Sequence, residues 1–184
     1  MQLLKNIFTN GLMISGLLFG MTLSANAYED FKRPKRMSVD YLIMITDAEK
    51  KAELGDADMQ YYVAGIYYTG NYLGEEVTKD RSKAFELYKK AANQGHTESQ
   101  TNLAIMYREG EVVRQNISEY IKWLKLAASQ KETRAQALLG IAYEFGNQGV
   151  NQDYAIAKEW YGKSCDNGNL YGCEDYKRLN EQGH

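Results

Sequence analysis

The chain has 184 residues, of which 44% are hydrophobic and 25% are charged, and its formal net charge is −2. These values are typical of a soluble globular protein and argue against intrinsic disorder or a polytopic membrane protein. The net charge, and the lack of a basic stripe in the repeated region, argue against nucleic-acid binding. A single proline leaves helices almost uninterrupted, so the turns depend mainly on the 16 glycines.

The first 27 residues have the three parts of a secretory signal peptide. Lys5 supplies the positive charge, residues 11–23 form an apolar run, and Ala25 and Ala27 form a small-residue cleavage site. The alternative is an uncleaved anchor, but the run is shorter than the roughly 20 residues that span a bilayer. We expect cleavage after Ala27, no transmembrane span in the mature chain, and a periplasmic or secreted protein.

Residues 28–37 carry four basic side chains around Pro34 and show no apolar period. The pattern is typical of a solvated, flexible tail. The alternative is a basic arm that contacts an anionic surface or an acidic partner.

From residue 38 onward the chain repeats itself. The segments that begin at Gln60, Gln100 and Gln136 each place an aliphatic residue, a small residue, a Tyr and a closing Gly at the same offsets. Apolar positions at i, i+3, i+4 and i+7 form one face of a helix, and the glycine suits the left-handed position that ends it. We therefore predict three equivalent first helices.

A second helix is predicted after each first helix, over residues 83–92, 119–128 and 156–165. Asp80, Asn116 and Asp153 precede these helices as candidate N-caps. Gly95 and Gly168 end two of them, and Lys131 takes the corresponding place in the middle copy. Helix pairs recur with a period of roughly 36 to 40 residues, which predicts an all-α fold, a short right-handed solenoid of antiparallel helix pairs.

These motifs resemble the Sel1-like repeat family, a relative of the tetratricopeptide repeat. The resemblance implies an N-terminal capping helix over residues 38–56, three repeats with a truncated C-terminal capping helix over 57–179, and a tail over 180–184. The chain departs from the family pattern at Ala64 and Ala104, which replace Gly, and at Tyr120, which replaces a small residue. The loop from residue 70 to 77 is also four residues longer than the loop from 110 to 113.

Cys165 and Cys173 are the only cysteines of the chain, and they flank the turn at Gly168. An antiparallel helix pair brings such positions close enough for a disulfide, and an exported compartment favours its formation. Cysteine-rich Sel1-like proteins have the same spacing between bridged cysteines. Two buried thiols or a zinc site are the alternatives, although zinc normally takes four ligands.

No common catalytic, phosphate-binding or dinucleotide-binding motif is present, and no cofactor or metal is indicated. His96 is predicted to be a solvated residue of a polar turn. We therefore expect a binding or scaffold protein rather than an enzyme. The resemblance leaves an alternative, because some cysteine-rich relatives are described as penicillin-binding or β-lactamase-like envelope proteins.

Stacked helix pairs form a concave surface lined by the first helices, and such surfaces commonly bind proteins or peptides. Tyr and Arg are enriched among the residues that dominate binding energy. Placement in the core is the alternative for the tyrosines, and the sequence does not indicate an oligomeric state. Carrying over the tetratricopeptide geometry gives these candidate binding residues: Tyr61, Tyr68, Thr101, Ile105, Arg108, Arg134, Ala137, Ile141 and Glu144.

Overall fold

The structure, a computed structural model, describes residues 39–72, 74–146 and 149–184. The predicted signal peptide and basic tail lie outside these residues. Eight α-helices in the described part pack in sequential antiparallel pairs, which confirms the predicted all-α fold. They are α1 (Val39–Glu53), α2 (Ala57–Thr69), α3 (Arg81–Asn93), α4 (Thr97–Glu109), α5 (Ile117–Ser129), α6 (Thr133–Phe145), α7 (Tyr154–Asp166) and α8 (Leu170–Glu181).

The helices begin and end at the residues that the sequence indicates. The side chains of Asp80, Asn116 and Asp153 each accept a hydrogen bond from the backbone N–H three residues ahead, as N-caps do. The first helices α2, α4 and α6 end at glycines in the left-handed conformation, with φ between 60° and 73°. Both predictions are confirmed, so local sequence alone sets the length of each helix.

The long loop after α2 contains the two short strands of the described residues, β1 (Asn71–Tyr72) and β2 (Glu75–Glu76). The strands are antiparallel, and Tyr72 pairs with Glu75. Tyr72 is 4% exposed and packs with Ile45 and Ile66. The four extra residues of this loop therefore form a hairpin that covers α1 and α2.

A buried glutamine in each of the helices α2, α4 and α6 forms a hydrogen bond with the preceding helix. The side-chain amides of Gln60, Gln100 and Gln136 donate to backbone carbonyls eight residues earlier, at distances of 3.0 to 3.2 Å. Each of these side chains also accepts a hydrogen bond from the next turn, donated by Gln94, Gln130 or Asn167. All their buried polar atoms are thus paired, as burial requires.

The last pair of helices uses a covalent bond at the same place. Cys165 and Cys173 form a disulfide with Cα atoms 4.5 Å apart, which confirms the predicted bridge. Their separation of eight residues equals that between Gln136 and Ala128, whose carbonyl the glutamine binds. In α8 a disulfide therefore replaces the glutamine hydrogen bond of the earlier pairs.

The C-terminal end differs from the predicted truncated helix and free tail. Helix α8 continues to Glu181, so it is about as long as the other first helices. The His184 ring stacks on the Tyr154 ring with centroids 3.8 Å apart, and Lys158 donates to the His184 carbonyl. A turn after Glu181 therefore brings the C-terminal residues against α7.

Close packing between α6 and α7 depends on Gly140. A Cβ atom there would lie 2.5 Å from the ring of Tyr161, which is 1% exposed. The Gly140→Ala variant is expected to lose about 1 to 2 kcal/mol of unfolding free energy, because two packed helices must separate. Denaturant unfolding of both proteins measures this difference, and an unchanged midpoint would contradict the packing argument.

Candidate functional site

The first helices α2, α4 and α6 carry most of the candidate binding residues. Tyr61 and Tyr68 on α2 are half-buried. Their ring centroids lie 6.0 and 6.5 Å from that of Tyr88 on α3, and Tyr61 also stacks on His96 at 4.7 Å. The Tyr68 hydroxyl donates to the Glu109 carboxylate on α4 at 3.2 Å. Both tyrosines therefore rest on the core while part of each side chain reaches solvent.

Two arginines occupy the neighbouring helices. The exposed Arg134 on α6 donates to the Asn102 side chain on α4 at 3.1 Å. The Arg108 guanidinium lies 5.5 Å from the centre of the Tyr120 ring, a cation–π distance. Neither arginine forms an ion pair with a carboxylate among the described residues. We call the accessible residues on these three helices the first-helix face: Tyr61, Tyr68, Asn102, Arg108, Arg134 and Ile141.

Three of the candidate residues are buried inside the chain. Thr101 is 1% exposed and donates to Glu132 at 2.7 Å, while Ile105 is 9% exposed. Glu144 is 5% exposed, and Ala137 is partly buried. Thr101, Ile105 and Glu144 therefore lie outside the first-helix face, because contacts with neighbouring helices already cover them.

Glu144 instead joins α6 to α8 through hydrogen bonds. Arg178 of α8 donates to both carboxylate oxygens at 2.7 and 2.8 Å, and the buried Tyr161 hydroxyl donates at 2.8 Å. Hydrogen bonds from Arg178 lower the pKa of Glu144, in opposition to burial, and the bond from Tyr161 adds to the lowering. The carboxylate is thus ionised and fully engaged within the chain.

The prediction for His96 is wrong. Its side chain is only 13% exposed, and Nδ1 accepts a hydrogen bond from the Ser99 backbone as the N-cap of α4. Stacking on Tyr61 removes the ring from solvent. His96 therefore positions Tyr61 and begins α4, and its Nδ1 is occupied as an acceptor.

A second polar cluster joins α1, α2 and α3. Tyr67 and Lys83 both donate to the Glu49 carboxylate, and Lys83 lies 2.8 Å from the Tyr67 hydroxyl. Burial raises the pKa of Tyr67, and its bond to Glu49 raises it further. Although burial acts against it, the contact with Glu49 also raises the pKa of Lys83. Both groups keep their protons at neutral pH, and both donate them to hydrogen bonds with the Glu49 carboxylate.

A groove of about 630 Å³ lies between α5 and the loop that leads into α7. Ile117, Ile121, Tyr143 and Ile156 contribute apolar side chains to it. Its one carboxylate, Asp153, already accepts a hydrogen bond as the N-cap of α7. The Asp153 carboxylate is therefore already engaged, and the groove has space for an apolar side chain.

Sequence reasoning missed several residues of the first-helix face. Asn102 positions Arg134, and the hydroxyl of the buried Tyr88 on α3 lies 3.7 Å from where a Cβ atom on Gly65 would stand. Gly65 stands where the other two copies have Ile105 and Ile141. An alignment of the three repeats would have revealed Gly65, because a glycine in a helix interior is unfavourable and the other two copies have isoleucine there.

Within residues 39–72, 74–146 and 149–184, no helix is long and apolar enough to cross a membrane. The same residues contain no group of three or more His, Cys, Asp or Glu side chains arranged to bind a metal ion.

The fold and the first-helix face define a repeat protein built from tandem antiparallel helix pairs. The Sel1 repeat family matches residues 57–96, 97–132 and 133–169, which together make up more than half of the chain. The protein is therefore a member of the Sel1 repeat family, and the resemblance found in the sequence is confirmed.

Solved structures of bacterial repeat proteins are similar to this chain. A Sel1 repeat protein from Oxalobacter formigenes is 30% identical with a TM-score of 0.62, and the match covers 73% of this chain and 97% of that one. The protective antigen c5321 of uropathogenic Escherichia coli is 30% identical with a TM-score of 0.53, covering 76% of this chain and 36% of the antigen.

The Helicobacter pylori cysteine-rich protein B is 16% identical, with a TM-score of 0.53 over 71% of this chain and 95% of that one. This likeness concerns the fold alone. No curated protein sequence matches the chain.

Proposed function

We propose that the protein binds a polypeptide partner through the first-helix face and acts as an interaction or scaffold module. Repeats of this family mediate protein interactions. The observation that carries the proposal is the residue content of the face. Two half-buried tyrosines and two arginines without carboxylate partners among the described residues are accessible to solvent on the first helices.

The chemistry of these residues supports binding rather than solubility alone. Tyr61 and Tyr68 are held by ring contacts on the core side, so they lose little conformational freedom when a partner covers them. Arg134 offers further N–H donors besides the one that binds Asn102. Preorganised Tyr and Arg side chains are typical of residues that dominate binding energy.

We also propose that the protein is not an enzyme and acts in an oxidising compartment, either the periplasm or the cell exterior. The Cys165–Cys173 disulfide supports the compartment, and the predicted signal peptide over residues 1–27 would provide the route. The absence of common catalytic motifs from the sequence supports a binding role. Nitrocefin hydrolysis by the purified protein would contradict the proposal and favour the β-lactamase-like alternative.

Chemical crosslinking in the native cell envelope, followed by mass spectrometry, identifies the partner without assuming one. With that partner purified, Arg134→Ala is expected to weaken binding by about 1 to 2 kcal/mol. The melting temperature should hardly change, because Arg134 is exposed and loses one hydrogen bond within the chain. Isothermal titration and thermal unfolding measure the two quantities.

Lys125→Ala is the matched control, because this exposed residue lies on the second helix α5. The Lys125→Ala variant should bind the partner with the same affinity as the unaltered protein. Equal losses for Arg134→Ala and Lys125→Ala would contradict a site on the first-helix face.

A further inference from the structure

Gly65 is a helix-interior glycine that the fold does not require. It lies in the middle of α2 with ordinary helical backbone, and an added Cβ atom would meet nothing closer than the Tyr88 hydroxyl at 3.7 Å. At Gly140 the same test gives 2.5 Å, because Tyr161 fills the space. Packing therefore explains Gly140, whereas it leaves Gly65 unexplained.

The other two repeats show what normally occupies this position. Gly65 lies five residues after Gln60. At the same distance from the equivalent glutamines, α4 has Ile105 and α6 has Ile141. An isoleucine at position 65 would cover the Tyr88 hydroxyl beneath it. We call the space above Gly65 the Gly65 notch; the Tyr88 hydroxyl lies at its base, and the rings of Tyr61 and Tyr68 contact the Tyr88 ring.

The groups around the Gly65 notch are hydrogen-bond donors beside a positive charge. Burial raises the pKa of Tyr88 to about 12, so its hydroxyl keeps its proton at neutral pH. Asn102 connects this hydroxyl to a cation, because its side chain hydrogen-bonds Tyr88 and also accepts from the Arg134 guanidinium at 3.1 Å. Asn102 accepts a hydrogen bond from Arg134 and holds it there without neutralising it.

Two other charged groups lie near the Gly65 notch: the Glu109 carboxylate, which a neutral hydroxyl binds, and the Arg81 guanidinium. Glu109 accepts a hydrogen bond from Tyr68, and Arg81 forms an ion pair with Glu111. Among the described residues, Arg134 is thus the cation beside the notch without a carboxylate partner. A guanidinium next to a phenol donor complements a carboxylate, which accepts several charge-assisted hydrogen bonds.

We propose that the Gly65 notch binds a carboxylate group of the polypeptide partner, held by the Arg134 guanidinium and the Tyr88 hydroxyl. This inference rests on the proposed polypeptide-binding function and names the chemistry that the partner presents. The carboxylate belongs either to an Asp or Glu side chain or to the C-terminus of the partner.

Nuclear magnetic resonance titration of the purified protein with small probes tests the Gly65 notch directly. N-acetyl-glutamate N-methylamide presents a side-chain carboxylate, N-acetyl-glycine presents a terminal carboxylate, and N-acetyl-glutamine N-methylamide is the neutral control. We expect saturable shifts of the Gly65 amide and the Arg134 side-chain signals with at least one acidic probe, at a Kd on the order of 1 mM. The acidic probe that saturates identifies the source of the carboxylate.

Gly65→Ile and Arg134→Gln should abolish these shifts. Gly65→Ile places in α2 the residue that the other two copies carry, so its melting temperature should not fall. Gly65→Ala is a second variant that avoids any crowding, and it should raise the melting temperature because alanine favours the helix. Shifts of equal size with the neutral probe, or shifts that persist in Gly65→Ile, would overturn the proposal.

Affinity measurements with the identified polypeptide partner separate this inference from the proposed function on which it rests. A polypeptide whose affinity falls at least tenfold in both Arg134→Ala and Gly65→Ile supports both. If its affinity falls in Arg134→Ala and is unchanged in Gly65→Ile, the Gly65 notch is overturned and the first-helix face remains. If acidic probes saturate the notch while binding of the polypeptide is indifferent to both variants, the notch binds carboxylates but not this partner, and both proposals are overturned.

Discussion

Replacement of Glu144 by Ala is expected to lower the free energy of unfolding by about 3 kcal/mol, since it breaks a largely buried charge pair. The variant leaves the Arg178 guanidinium and the buried Tyr161 hydroxyl without the acceptor that joins α8 to α6. Arg178 is 39% exposed and can turn partly toward solvent, which keeps the loss at the lower end of the usual range. Denaturant unfolding of both proteins at neutral pH measures this loss of unfolding free energy.

The pH dependence of this difference has a definite sign. The pKa of Glu144 lies below its usual value near 4.5 in the folded protein, so its contribution is complete above that pH. It is lost as the pH falls through the lowered pKa, because the carboxyl becomes protonated. The difference between the two proteins should therefore shrink below about pH 4.5.

Glu159→Ala is the matched control for Glu144→Ala, since Glu159 pairs with Lys163 on an exposed face and is itself 61% exposed. Glu159→Ala should lower the free energy of unfolding by less than about 0.5 kcal/mol. Equal costs for both variants would contradict the structural role of Glu144.

Loss of the Cys165–Cys173 disulfide is expected to cost about 2 to 3 kcal/mol, because the bond restricts a short loop in the unfolded chain. Cys165→Ala combined with Cys173→Ser removes the bond. Peptide mapping without reductant should find one linked pair in the unaltered protein, and calorimetry should show a lower melting temperature for the variant. Two alkylated thiols in protein taken from its native compartment would contradict the bridge.

A second double variant tests whether the disulfide replaces the glutamine hydrogen bond. Cys165→Ala combined with Cys173→Gln recreates the arrangement of Ala128 and Gln136, in which the amide donates to a carbonyl eight residues earlier. It should regain about 1 kcal/mol relative to the serine variant. No difference between the two variants would show that the last helix pair does not share this geometry.

The fold was predictable from the sequence because its signals are local and repeated. The caps at Asp80, Asn116 and Asp153 and the glycines that end the first helices lie within one turn of the structures they specify. The bridge was also predictable, since two cysteines flank a single turn. Repetition adds to these signals, because each repeat tests the assignment made for the others.

The first-helix face was only partly predictable, because contacts between repeats decide what remains exposed. Arg178 covers Glu144 from 34 residues away, and Glu132 binds Thr101 from the next pair. The tetratricopeptide geometry carried over to these residues did not include the side chains that cover them. His96 was misplaced because its stacking partner Tyr61 lies on another helix, α2, which local sequence does not reveal.

Site-specific photocrosslinking in the native envelope tests the proposed function most directly. A photoreactive amino acid replaces either Ile141 on the first-helix face or Leu126 on α5, which are 39% and 42% exposed. Their nearly equal exposure makes the comparison depend on position rather than accessibility. We expect one defined polypeptide adduct from position 141, absent from position 126 and lost when Arg134→Ala is added. An adduct from position 126 with none from position 141 would contradict binding through the first-helix face.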